Sequence, residues 1–271
     1  MNEITKSGAP LLKIDEATVS RNGRHILDAL SLEIAEGEHT AIVGPNGSGK
    51  STLIKLITRQ HYALAHPDNR PSISLFGQDR WNVFDLRALL GIVSADVHLA
   101  FTTDSELIGY DAVISGFFAS QGLASHHTVT PDMHAAARTA LRWVEGEHLA
   151  QKPMEQMSTG EARRVLIARA LVRDPRALLM DEPTTGLDLV ASRRFLETLR
   201  RIAAQGKTLI LVTHHITEIL PEIQRVILMQ DGRIFRDGPK AEILTTENLS
   251  ALFGARVEVR KNGEYYEAEA V

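Results

Sequence analysis

The stretch Gly44-Pro45-Asn46-Gly47-Ser48-Gly49-Lys50-Ser51-Thr52 decides the fold. It follows a short apolar run, Ala41-Ile42-Val43, and precedes Leu53, Ile54, Leu56 and Ile57 at helical spacing. The stretch fits G-x-x-x-x-G-K-[ST], the phosphate-binding loop between a strand and a helix. Gly44, Gly47 and Gly49 carry no Cβ, so the backbone reaches unusual angles and approaches a phosphate closely. Successive N–H groups then line an anion nest, and the next helix points its positive end into it. Lys50 has the reach for the β- and γ-phosphates. Ser51 offers a hydroxyl to Mg²⁺, and Thr52 offers another to phosphate.

A second stretch belongs with the first. Ala177-Leu178-Leu179-Met180-Asp181-Glu182 is a flat apolar run ending in two carboxylates. Flat rather than alternating hydrophobicity marks a parallel strand buried on both faces. A carboxylate at the carboxyl end of such a strand lies beside the phosphate loop. Asp181 is therefore expected on the metal side, directly or through water. Glu182 points elsewhere and is the candidate general base.

Composition bounds the answer. The chain has 271 residues, 44% hydrophobic and 24% charged, as in ordinary globular proteins. A net charge of −4 gives no basic footprint for nucleic acid. Cysteine is absent, which excludes disulfides, thiolate metal sites and cysteine nucleophiles, and fits a reducing compartment. The start, MNEITKSGAPLLKIDEA, lacks a signal-peptide pattern. No apolar run approaches the ~20 residues that span a bilayer, so any service to a membrane runs through a partner.

In chain order, residues 11–43 read as strands and turns, with Leu30, Leu32 and Ile34 alternating. A loop follows the first helix at His61 to Pro71, then a strand at Ser72 to Phe76, a short helix at Asp85 to Leu90, and Gly91-Ile92-Val93. Residues 96–157 turn helical. One pattern runs from Ser105 to Phe118, and another starts at Thr130-Pro131, an N-cap with proline first. Adjacent His126-His127 reads as a solvated pair in a loop. From 158 the alternation returns: helix Ala162 to Val172, strand 177–180, helix Leu189 to Ala204, strand Thr208 to Val212. That order predicts a parallel sheet with crossover helices. Asp231-Gly232 and Asn262-Gly263 are hairpin turns. Ser158 and Glu161 form the capping box S-x-x-E, and such a helix start beside Gly160 is also an anion site. Arg163-Arg164 is expected on an exposed face of that helix.

With Met157-Ser158-Thr159-Gly160-Glu161 ahead of that helix, the chain resembles the ATP-binding cassette (ABC) ATPases, the nucleotide-binding subunits of ABC transporters. Met157 to Glu161 is similar to the family signature LSGGQ, with Met157, Thr159 and Glu161 as departures. Residues 178–183, LLMDEP, are similar to the Walker B strand. Thr185-Gly186-Leu187-Asp188 resembles the D-loop, and Leu211-Val212-Thr213-His214 the strand with the switch histidine. The resemblance implies a P-loop NTPase (RecA-like) parallel core with an antiparallel β subdomain and a helical ABC-specific subdomain. It implies an ATPase domain over 11–245, with the helical insertion at about 96–157, and a C-terminal extension over 246–271 carrying a β-hairpin. Glu247-Asn248-Leu249-Ser250 and Leu252-Phe253-Gly254 resemble the extensions of iron-chelate and cobalamin importers.

The resemblance further implies ATP and Mg²⁺ as ligands, and a homodimer with ATP at its interface. Ser158 and Gly160 of one subunit would cap the γ-phosphate held by Lys50 of the other. His214 would bond the γ-phosphate and Glu182, with His215 as its rival, and Asp188 would couple the two sites. Integral membrane permease subunits would be the partners, docked on the helical insertion, with the chain peripheral on the cytoplasmic face. The alternative is a soluble ABC ATPase outside transport, in repair, cluster assembly or translation. Two departures stand out. The family places a glutamine after strand 91–93, where this chain has Ser94-Ala95-Asp96. Alanine cannot ligate a metal, so Ser94 or Asp96 would substitute, and hydrolysis would be slow or weakly coupled. The family also stacks adenine on an aromatic where this chain has Arg21 or Asn22. The Arg21 guanidinium can stack on a base or lie in solvent.

Overall fold

A computed structural model describes residues 10–103 and 107–271. The chain opens with β1 (Leu12–Arg21), β2 (Arg24–Ile34) and β3 (Thr40–Val43), then α1 (Lys50–Ile57) and β4 (Ile73–Leu75). Next come α2 (Val83–Leu89), β5 (Leu90–Val93), α3 (Ala95–Thr102), α4 (Gly109–Ile114), α5 (Pro131–Trp143) and α6 (Thr159–Leu171). They are followed by β6 (Ala177–Asp181), α7 (Leu189–Ala204), β7 (Thr208–Thr213), β8 (Arg225–Gln230) and β9 (Arg233–Pro239). The chain closes with α8 (Lys240–Ile243), α9 (Thr246–Phe253), β10 (Val257–Asn262) and β11 (Tyr265–Ala270). The Ser105 start of the first helical pattern lies outside the described residues.

The main sheet has the order β5-β6-β7-β3-β8-β9. All its neighbours pair in parallel except β8 with β9, which the Asp231-Gly232 turn joins as an antiparallel hairpin. A separate antiparallel sheet, β2-β1-β4, covers one side. The expected α/β core with an antiparallel β layer is therefore present.

Each parallel strand is buried on both faces, and the two faces feed different cores. Leu178, Met180, Leu209, Leu211, Ala41, Val43, Val226 and Leu228 face the helices α4 to α7. Ala177, Leu179, Ile210, Val212, Ile42, Ile227 and Met229 alternate with them and face α1 and the small sheet. Period-2 alternation between two dry compartments explains the unbroken apolar runs read from the sequence.

Register sets the site. Val43 pairs with Thr213, and Asp181 pairs with Val212. The residues just past those strand ends are Gly44, His214 and Glu182. All three leave the sheet at one edge.

Candidate nucleotide site

The 44–52 loop has the shape its glycines allow. Gly49 takes φ 103° at the N-cap of α1. A Cβ on Gly44 would lie 2.4 Å from the Met229 carbonyl oxygen and 2.6 Å from Ser48 Oγ, so no other residue fits without displacing the loop. The loop is braced from behind by the β8–β9 turn: the Gly232 N–H donates to the Ser48 carbonyl at 3.0 Å. Gly232 in turn accepts from the Asp28 N–H at 3.1 Å, which ties β2 to the same brace.

Lys50 is buried, and its ammonium donates to the Gly44 carbonyl at 2.6 Å and the Pro45 carbonyl at 3.0 Å. Burial lowers its pKa, while Glu182 and Asp181 pull the other way. Ser48 Oγ is buried with no hydrogen-bond partner among the described residues. An orphaned hydroxyl, a buried ammonium and no acidic residue in the first turn of α1 suit an anion. Ser51 is exposed at the mouth. It shares a cleft of ≈ 600 Å³ with Ser94, Asp181, Glu182 and Thr185. No group of three or more His, Asp or Glu poised for a metal occurs among the described residues. Magnesium suits this donor set, because it takes one or two protein oxygens and completes its shell with phosphate oxygens and water.

Glu182 has a left-handed backbone, φ 45°, uncommon for a non-glycine residue. Its N–H donates to the Val212 carbonyl at 2.8 Å. Its carboxylate lies 2.8 Å from His214 Nδ1. A carboxylate only accepts, so Nδ1 carries a hydrogen toward Glu182. The structure thus brings His214, not His215, to the acid; the His215 ring lies tilted against that of His214 and is exposed.

Ser158 and Gly160 stand at the start of α6, where Ser158 Oγ accepts from the Glu161 N–H and the Glu161 side chain accepts from the Ser158 N–H, completing the capping box. The Lys152 ammonium, 2.8 Å from Glu161, holds that carboxyl at a pKa of about 2 and neutralises its charge beside the helix end. Neither Ser158 nor Gly160 lines the cleft shared by Ser51 and Asp181. Gly160 packs instead beside Leu187 and Ala191. At that edge Leu189 is 87% exposed and Val190 60%. Asp188, the N-cap of α7, spends one oxygen on the Ala191 N–H at 2.8 Å.

Three expectations change or stay open. Arg163 is not on an exposed face: it is 6% exposed and reaches under the 182–185 turn. Ser94 caps α3, accepting from the Val97 N–H at 3.4 Å while lining the cleft, whereas the side chains of Ala95 and Asp96 lie outside the described residues. Arg21 is exposed at the end of β1, paired in register with Arg24. The β2 residues nearest the loop are Ile26 and Leu27, both ≈ 3.0 Å from a Cβ built on Gly49. Sequence reasoning missed Arg163, Glu218 and the Gly232 brace.

Comparison with known proteins agrees with this geometry. A family model described as ABC transporter matches residues 27–185. The uncharacterised ABC transporter ATP-binding protein YlmA of Bacillus subtilis is 32% identical, over 93% of this chain and 94% of its own. The hemin import ATP-binding protein HmuV of Rhodococcus jostii is 30% identical, over 93% and 83%. A solved dimer of the ATP-binding cassette MJ0796, in a post-hydrolysis state with ADP and Pi, superposes with a TM-score of 0.66. Its sequence is 25% identical, over 84% of this chain and 98% of that one.

Proposed function

The chain belongs to the ABC transporter family, and we propose that it is the ATP-hydrolysing subunit of a transporter, working as a head-to-tail homodimer on membrane-embedded permease subunits. The observation that carries the reading is a divided site. Ser51, Asp181 and Glu182 line one cleft, with Lys50 next to Ser51 and His214 bonded to Glu182, while Gly160 of the same chain packs beside Leu187 and Ala191. A second copy, placed head to tail, supplies the missing helix start. The exposed Leu189 and Val190 beside it give that contact an apolar patch.

In this arrangement the main-chain N–H groups of 44–52 and the Lys50 ammonium hold the triphosphate, with Thr52 adding a hydroxyl. Arg21 remains the candidate for the adenine face. Magnesium, bound with the nucleotide through Ser51 and Asp181, would neutralise charge on the β- and γ-phosphate oxygens. Glu182 orients and deprotonates the attacking water. His214 holds the Glu182 carboxylate in place through Nδ1–H; a hydrogen bond from its other ring nitrogen to a γ-phosphate oxygen would need that nitrogen to carry a hydrogen too. Most of the rate gain in such chemistry comes from positioning and charge stabilisation.

No helix among the described residues is long and apolar enough to cross a membrane. Permease subunits would therefore hold the chain peripherally on the cytoplasmic face. The names of its relatives favour transport over the soluble repair or assembly roles.

The test is Glu182→Gln. It keeps the side-chain size and removes the base, so ATP should bind and lock two subunits together. Size-exclusion chromatography with saturating ATP and Mg²⁺ should show a dimer for the variant. A variant that stays monomeric there would defeat the divided-site reading.

A further inference from the structure

We propose that Arg163 is a positioning residue that ties the start of α6 to the backbone of Glu182, so that the helix facing one nucleotide sets the base that acts on the other. The inference rests on Glu182 as general base and on the head-to-tail dimer.

The geometry is a clamp on residues 182–185 from two sides. Arg163, one turn into α6, donates from Nη1 to the Glu182 carbonyl at 3.0 Å and to the Pro183 carbonyl, and from Nη2 to the Thr185 carbonyl at 2.6 Å. A planar guanidinium fork is the group that can hold several carbonyls in one fixed arrangement. From the other side, Glu218 accepts from the Thr184 N–H at 3.3 Å and from the Thr184 hydroxyl. Glu218 closes the short turn after β7, just beyond His214, and is 2% exposed. Arg163 and Glu218 thus grip consecutive peptide groups of one turn, donors from one side and an acceptor from the other.

The turn needs such a grip. Glu182 holds φ 45°, a conformation that persists only when its surroundings over-determine it. Rotation of that residue would swing the carboxylate away from His214. Because Arg163 and the Ser158–Gly160 helix start are five residues or fewer apart on α6, any displacement of that start is passed to the Glu182 carbonyl. Arg163 Nε and Glu218 Oε2 are buried without partners among the described residues. Each side chain therefore spends its remaining polar atoms on the 182–185 turn. On α3, burial, with the charge of Arg163 added to it, holds the His98 pKa below the ordinary value.

The experiment compares wild type with Arg163→Met and Arg163→Lys. Displacing reacting groups by an ångström costs about 10- to 100-fold in rate, so kcat for ATP should fall by that range in Arg163→Met. Affinity for a fluorescent ATP analogue should stay within about twofold, since Lys50 and its loop are untouched. Turnover in a two-site dimer should lose its cooperativity, the Hill coefficient dropping from about 2 toward about 1. Arg163→Lys keeps the charge without the fork and should fall between the two. A role in folding alone would lower kcat only in step with the folded fraction and leave the Hill coefficient unchanged, which would overturn the proposal. If Arg163→Met does not fold, Arg163→Lys carries the test, because it keeps the charge and loses the fork that holds the 182–185 carbonyls. Wild-type kcat and cooperativity in every variant would sink this inference alone. No ATP turnover by the wild-type chain would sink the underlying reading instead.

Discussion

Replacing Gly232 by alanine, with Gly23 replaced as its matched control, isolates what the β8–β9 turn contributes to the phosphate loop. Both glycines sit in hairpin turns at nearly the same angle, φ +76° and +74°. Alanine costs about 1–2 kcal/mol in either position, because its Cβ crowds the carbonyl in the left-handed region. The surroundings differ. A Cβ on Gly23 meets nothing within 4 Å, whereas one on Gly232 lands 2.3 Å from the Ile26 carbonyl oxygen and 3.1 Å from Leu27 Cα. That contact is backbone and cannot rotate away, so β2 and the turn must part. Parting them breaks the bonds from Gly232 N to the Ser48 carbonyl and from Asp28 N to the Gly232 carbonyl. At about 0.5–1.5 kcal/mol each, the two bonds add roughly 1–3 kcal/mol. Thermal unfolding should therefore place Gly232→Ala below Gly23→Ala by several degrees, at about 2–4 °C per kcal/mol for a chain of this size class. Nucleotide affinity should fall only in Gly232→Ala, since only there does Ser48 lose its brace. Equal melting temperatures and equal affinities for the two variants would refute the bracing argument.

Two further outcomes are expected. Stability should be level above pH 6.5 and fall as the pH drops below it, because burial lowers the pKa of His39 and His98 in the folded state. The unfolded chain then takes up protons first, giving at most about 1.4 kcal/mol per pH unit for each histidine, less for partial exposure. His39→Gln, whose amide oxygen can still accept from the Leu209 N–H, should flatten the urea midpoint between pH 7 and 5; an unchanged slope counts against it. Leu189→Asp should weaken the ATP-bound dimer at least tenfold in sedimentation, on a Glu182→Gln background. Unchanged association would move the interface elsewhere.

The parts of the site that could be read from sequence are those fixed by local chemistry. Gly44, Gly49 and Lys50 are constrained by one turn of backbone, and Asp181-Glu182 by the end of one apolar strand. The hairpin turns at Asp231-Gly232 and Asn262-Gly263 belong to the same class. Arg163 was not legible because α6 is buried on most sides: Ala162, Val165, Leu166, Ile167 and Ala168 are all covered. On a half-exposed helix, a charged residue marks the solvent face; on this one it marks a buried partner. A signal existed, since Leu166, Ile167 and Ala170, three, four and seven residues on, share the Arg163 face. Glu218 and the Gly232 brace join segments far apart in sequence, and no local pattern encodes such meetings.

The attachment of Lys50 to the carbonyls of Gly44 and Pro45 has a consequence for selectivity. The ammonium is already solvated by its own loop, so an incoming ligand must replace two good dipoles rather than quench a bare ion. A small anion that fills the nest without reaching the lysine leaves those bonds intact and gains only the weaker attraction of a charge it does not touch. Only a polyphosphate long enough to compete for the ammonium releases the lysine from its own backbone, so the loop discriminates by ligand length as well as by charge.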